Sequence, residues 1–139
     1  MFKMESWLMF AILALIIWGF WGFFPKIAVK HIDPKSALVW EVVGALVIGI
    51  FILFMIGFQP AISAKGVTFA ILAGAAASIG GLFFLYAVSK GKLSVVVTMT
   101  ALYPLITILL SFFILNEAIT LKQGFGIFFS LIAIFLLSS

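Results

Sequence analysis

The sequence predicts an all-α integral membrane protein with five transmembrane helices. Three observations carry that expectation. Of 139 residues, 66% are apolar and 9% are charged, whereas a soluble domain carries roughly 25% charged residues. Mean hydropathy is +1.42, so there is too little charge to cover a water-facing surface. The apolar residues also fall into runs of about 18–24, each long enough to cross a hydrocarbon core. The whole chain, 1–139, reads as a single transmembrane domain with helices at about 6–30, 35–58, 65–89, 93–115 and 120–137.

Composition also excludes several functions. The chain has no cysteine and one histidine, His31. It therefore has no thiol nucleophile, and no metal site or cofactor is expected. No Ser/His/Asp arrangement, phosphate-cradling loop or carboxylate pair is present, so an enzyme is not expected. The net charge of +4 is scattered over the ends of apolar runs, which gives nucleic acid no basic face to bind.

The first helix begins near Ser6, a capping residue type, and runs past Phe24. The run from Trp7 to Phe24 follows Lys3 but is longer than a signal-peptide core and lacks a small-residue cleavage site, so it reads as a retained span. Pro25 bends such a helix without having to end it. Asp33 followed by Pro34 is an N-cap with proline in the first turn, and it starts the second helix. Gln59-Pro60 is the expected stop.

The third helix carries Gly74, Ala77 and Gly81 at helical spacing. Small residues in such a stripe let neighbouring helices approach closely. Two readings stand: static packing, or a surface that slides during a transport cycle. The fourth helix follows the Lys90-Gly91-Lys92 turn. Thr100, Tyr103, Pro104, Thr107 and Ser111 share one of its faces, and Pro104 offers no N–H to the carbonyl of Thr100. That face either lines a cavity or carries hydroxyls bonded back to their own helix. Thr120 and Gln123 form a capping box for the fifth helix.

Two charges lie inside the first two spans. Lys26 precedes Asp33 by about as many positions as Glu41 follows it. At about 1.5 Å per helical residue, both lie roughly 10–12 Å from the turn. Glu41 is the one carboxylate well inside a span, and an ionised carboxylate in hydrocarbon must be paired, protonated or wet. It reads either as a proton- or cation-binding group with Lys26 as counter-charge, or as half of a structural ion pair. Lys26 also has the reading of a lysine snorkelling to the headgroups. Trp18 and Trp21 share a helix face, where they either shape a pocket for an organic cation or simply pack.

An odd number of crossings puts the two termini on opposite sides of the membrane. Lys3, Lys65 and Lys122 then lie at one face, and Lys26, Lys30, Lys35, Lys90 and Lys92 at the other. This bias is weak by the positive-inside rule. It is compatible with insertion in both orientations, and equally with a chain that has few charges to count.

Several segments, taken in order, resemble one known family. Trp18-Gly19 is followed by Lys26 in the first helix. Gly80-Gly81-Leu82-Phe83-Phe84-Leu85-Tyr86 closes the third. Ser94 to Thr107, with Thr98 and Pro104, is followed by Leu115-Asn116-Glu117. The chain resembles a single EamA-type domain of the drug/metabolite transporter superfamily. That resemblance implies one half of a ten-helix inverted-repeat fold. It implies a multi-pass protein of the cell (inner) membrane that moves a small-molecule substrate by alternating access. The expected partners are the lipid bilayer and either a second, antiparallel copy or another half-transporter. The expected cavity lies between the first four helices, with the fifth at the periphery.

Two departures from the family pattern stand out. Glu41 occupies a depth where an arginine is common, which favours a cationic substrate or proton coupling. Leu-Asn-Glu replaces Leu-Gly-Glu, with Glu117 serving the helix turn. The alternatives are a non-transporting membrane subunit that stabilises a partner, and a small multidrug-type cation exporter. The latter has four helices, and a fifth span argues against it.

Overall fold

The computed structural model describes residues 6–138, with side chains described for 7–136. Lys3 lies outside the described residues, and so does the Ser6 side chain with its expected capping role. Six helical segments occur among the described residues: α1 (Ser6–Ala28), α2 (Pro34–Met55), α3 (Ala64–Lys90), α4 (Leu93–Thr100), α5 (Tyr103–Ile114) and α6 (Leu121–Ser138). No strand occurs among them. α4 and α5 together form one apolar stretch, Leu93–Ile114, so the described residues make five helical spans or near-spans. Four of these are long and apolar enough to cross a membrane. The apolar α6 has 18 residues, about 27 Å of helix, close to the thickness of the hydrocarbon core.

The chain divides into two compact units, Met1–Lys90 and Gly91–Ser139. In the first unit, α1 and α2 both pack on α3. The packing concentrates near the C-terminal end of α3. Gly81, Phe84, Leu85 and Val88 are buried there, at the spacing of one helical face, with Ala37 buried on α2. Elsewhere the helices present large apolar side chains outward, as a protein solvated by lipid does. In the second unit, α4 and α6 pack on each other.

The helix boundaries follow from local chemistry. Asp33 caps α2 as expected: Oδ1 accepts from the amides of Lys35 at 3.0 Å and Ser36 at 3.1 Å, and Pro34 occupies the first turn. The Thr120–Gln123 capping box also forms. Gln123 Oε1 accepts from the Thr120 amide at 2.9 Å, and Thr120 Oγ1 accepts from the Gln123 amide at 3.3 Å.

α2 ends at Met55, short of the Phe58 expected from the sequence. Gly57 takes a left-handed φ of 62°, and its amide reaches Phe54 O at 3.1 Å while that of Phe58 reaches Leu53 O at 3.0 Å. This pair of bonds is a Schellman stop, which glycine favours. Phe58 follows at φ 58°, a strained value for a bulky residue. Its ring meets Phe54 edge-on at 4.7 Å, a contact that helps offset the strain.

The fourth span is not the continuous helix expected from the sequence. It breaks at Ala101-Leu102, just before Pro104. Two i→i−3 bonds replace the regular ladder: Leu102 N to Met99 O at 3.3 Å and Leu105 N to Leu102 O at 3.0 Å. Proline has no N–H to give and crowds the preceding turn, so the ladder restarts with Pro104 in the first turn of α5.

Candidate functional site

α1 also ends earlier than expected, at Ala28, which leaves Lys26 in its last turn. The Lys26 Nζ donates to the carbonyl of Val88 at 2.6 Å. Val88 is within the last four residues of α3, whose carbonyls have no intrahelical donor. A lysine from another helix thus serves as a charged cap at the negative end of the α3 dipole.

Glu41 lies farther in, against α3 at another level. A Cβ on Gly81 would stand 3.7 Å from Glu41 Oε2 and 3.8 Å from Leu38 Cδ1. Gly81 and Val88 are about 10 Å apart along α3 at 1.5 Å per residue. The two charges therefore address two levels of the same helix. Glu41 is partly buried, and among the described residues its carboxylate makes no hydrogen bond or ion pair.

Trp21 stacks on the buried Phe84 ring, with centroids 5.3 Å apart and planes at 24°. It ties α1 to α3 between the Glu41 and Lys26 levels. Trp18 is 61% exposed. Of the small-residue stripe, Gly81 is buried at the α2–α3 contact, while a Cβ at Gly74 would meet nothing within 4 Å. Ala77 is exposed.

The second unit contains a groove of about 630 Å³ between the α4–α5 segment and α6. Pro104, Ser111, Glu117, Gln123 and Ser130 contribute to its walls. Thr100 Oγ1 turns back to its own helix, donating to Val96 O at 2.9 Å and Val97 O at 3.1 Å. Tyr103 and Thr107 are exposed on α5. Ser111 Oγ donates to Glu117 Oε2, and the Glu117 amide reaches Ser111 O at 3.3 Å. Glu117 thus serves the turn after α5. Between them stands Asn116 at φ 55°, a left-handed position where glycine is preferred and asparagine comes next.

Two partners in the first unit were not among the site residues read from the sequence. Phe84 was visible there as an aromatic in the third helix, but nothing in the sequence pairs it with Trp21. The Val88 carbonyl is backbone and carries no side-chain signal.

The fold defines a multi-pass α-helical membrane protein, with a carboxylate inside one of its spans. The chain belongs to the EamA-like transporter family, which it matches over residues 5–139. That family consists of membrane transporters of the drug/metabolite transporter superfamily, not enzymes. The chain is 32% identical over 137 residues to an uncharacterised protein of Methanocaldococcus jannaschii, covering 97% of this chain and 98% of that protein. No solved structure matches it.

Proposed function

We propose that this protein transports a small metabolite or an organic cation across the cell membrane by alternating access, as one half of an antiparallel pair. The observation that carries the reading is the Glu41 carboxylate, held inside a span against α3 at Gly81. A carboxylate inside a span must be paired, protonated or wet, and one without an ion-pair partner among the described residues is suited to take up a proton or a cation. Glu41 is the exchanging group. Lys26 supplies positive potential from the end of α3 and holds α1 to it. Trp21 braces the same wall, and Trp18 offers an aromatic face to a cation. Within the second unit, Tyr103 and Thr107 are exposed polar groups open to a substrate, whereas the Thr100 hydroxyl is spent on its own helix.

Pairing rests on the likeness to inverted-repeat transporters. There, two five-span repeats joined in one chain run in opposite senses, and a separate second copy in the opposite orientation would give the same geometry. The relative, 98% of whose length this chain covers, is itself about one repeat long.

Proteoliposomes with an imposed pH gradient test the reading against a panel of amino acids, nucleobases, sugars and organic cations. Flux of one of these should follow the gradient in the parent protein. Glu41→Gln should abolish gradient-driven flux while the protein remains folded and paired. Undiminished flux in that variant refutes the exchange role.

A second reading, a non-transporting subunit that stabilises a partner, is favoured by the Lys26–Val88 bond, because it makes one of the two charges structural. Under that reading Glu41→Gln lowers stability and no member of the panel moves in any variant.

A further inference from the structure

We propose that Gly81 is a positioning residue for the Glu41 carboxylate. This rests on the exchange role proposed for Glu41. The absent side chain at Gly81 leaves a recess on α3, and Oε2 of Glu41 rests over it. A Cβ there would be in ordinary contact with Oε2 and with Leu38 Cδ1, at 3.7 and 3.8 Å. A larger side chain would have to occupy the place of the carboxylate oxygen. The neighbouring glycine differs: a Cβ at Gly80 meets nothing within 4 Å. Of two consecutive glycines, then, only Gly81 touches the acid.

The surroundings fix this relation. Gly81 is the first of the buried α3 residues, followed by Phe84, Leu85 and Val88. Trp21 stacks on Phe84 one turn below, and Lys26 Nζ is bonded to Val88 O below that. α1 and α2 both pack on α3, whose buried residues fall on this stretch, so a side chain at 81 meets neighbours already in place. Valine is the sharper probe, because a β-branched residue in a helix is confined to one main rotamer and cannot swing aside. Alanine fills the recess without evicting the oxygen.

The test uses the full chain in lipid nanodiscs, with Gly80→Ala, Gly81→Ala and Gly81→Val each made in the parent and in Glu41→Gln. Two quantities are read: binding of tetraphenylphosphonium, and labelling of Glu41 by dicyclohexylcarbodiimide, followed by intact mass. Gly81→Val should weaken tetraphenylphosphonium binding about tenfold in the parent and add nothing in Glu41→Gln, the non-additivity expected of residues in contact. It should also raise Glu41 labelling several-fold, because the evicted carboxylate turns toward the lipid where the carbodiimide partitions. Gly81→Ala should give a small change in the same direction, and Gly80→Ala none.

Equal losses of binding from Gly81→Val in both backgrounds, or labelling unchanged from the parent, would overturn the proposal. Should the parent bind no tetraphenylphosphonium, labelling still decides it. Raised labelling in Gly81→Val would then uphold the positioning role while the cation reading of the site fails.

Discussion

The two units use charge in an apolar setting differently. Hydroxyls in both are satisfied within a few residues, as at Thr68, Ser78 and Ser89 in the first. In the second, Thr98 and Ser130 bond the carbonyl four residues back, at 2.7 and 2.8 Å. Thr100 does likewise, and Ser111 pairs with Glu117 across one turn. Such groups are locally silent: each cancels its own desolvation cost and makes little demand on neighbouring helices. In the first unit the charges reach across helices. Lys26 on α1 bonds the end of α3, and Glu41 on α2 lies against it about two turns earlier, at Gly81. Charges placed at helix contacts mark where a change in protonation or ligand can be felt by neighbouring helices.

The largest effect that sharpens this contrast is expected from the packed end of α3. Leu85 is fully buried, at 0% exposure. Leu85→Ala should cost about 2–3 kcal/mol, the lower part of the range for buried leucine. Lipid is as apolar as leucine, so lost packing is the main term. Leu131, half-buried on the wall of the second unit's groove, should cost under about 1 kcal/mol when cut to alanine, because fewer contacts are lost. Reversible unfolding in mixed micelles measures both. Equal losses would erase the distinction between a packed and a loosely packed unit.

Lys26→Met comes next. It keeps the apolar stem and removes the donor to Val88 O, a charge-assisted bond worth about 1.5 kcal/mol or more. The loss should appear in the same unfolding measurement. It should also appear as faster amide exchange in the last turn of α3, whose carbonyls are left without that cap. Unchanged exchange there would mean that Lys26 acts elsewhere.

What could be read from the sequence was the chemistry that stays local. The spans follow from hydropathy. The caps at Asp33 and at Thr120–Gln123 follow from side chains that satisfy amides two or three residues away. The stop at Gly57 was equally local, yet Gln59-Pro60 drew the boundary past it, because proline is the louder breaker. The split before Pro104 was half visible: the missing donor could be read, but the switch to i→i−3 bonds could not. The candidate site was the least legible part. Glu41 stood out by its charge, but its seat against Gly81 depends on helix register between α2 and α3. Lys26 appeared deep only on the assumption that α1 continued to Lys30. Its ammonium meets a backbone carbonyl, that of Val88, which no sequence pattern announces. Asn116 in place of glycine, by contrast, has a simple reason once φ is known, since the turn after α5 needs a residue that tolerates the left-handed region.

The smallest predicted effect lies at the turn between α1 and α2, where pH should act on the cap. The Ser36 hydroxyl donates to the Asp33 carboxylate, and the Ser36 and Lys35 amides do the same. These bonds hold its pKa below the ordinary 3.8. A carboxyl with a depressed pKa in the folded state contributes stability above its unfolded value and loses it as pH falls through the folded one. The contribution is therefore whole at neutral pH and fades only below about pH 3.8. Asp33→Asn keeps an oxygen acceptor for the cap but removes the charge, so the acid-side loss should flatten. Asp33→Ala should lower stability at every pH, because the cap itself is lost. Unfolding midpoints from pH 3 to 7 separate the two. If Asp33→Asn retained the full acid sensitivity of the parent, that sensitivity would belong to another carboxylate, with Glu41 the first to examine.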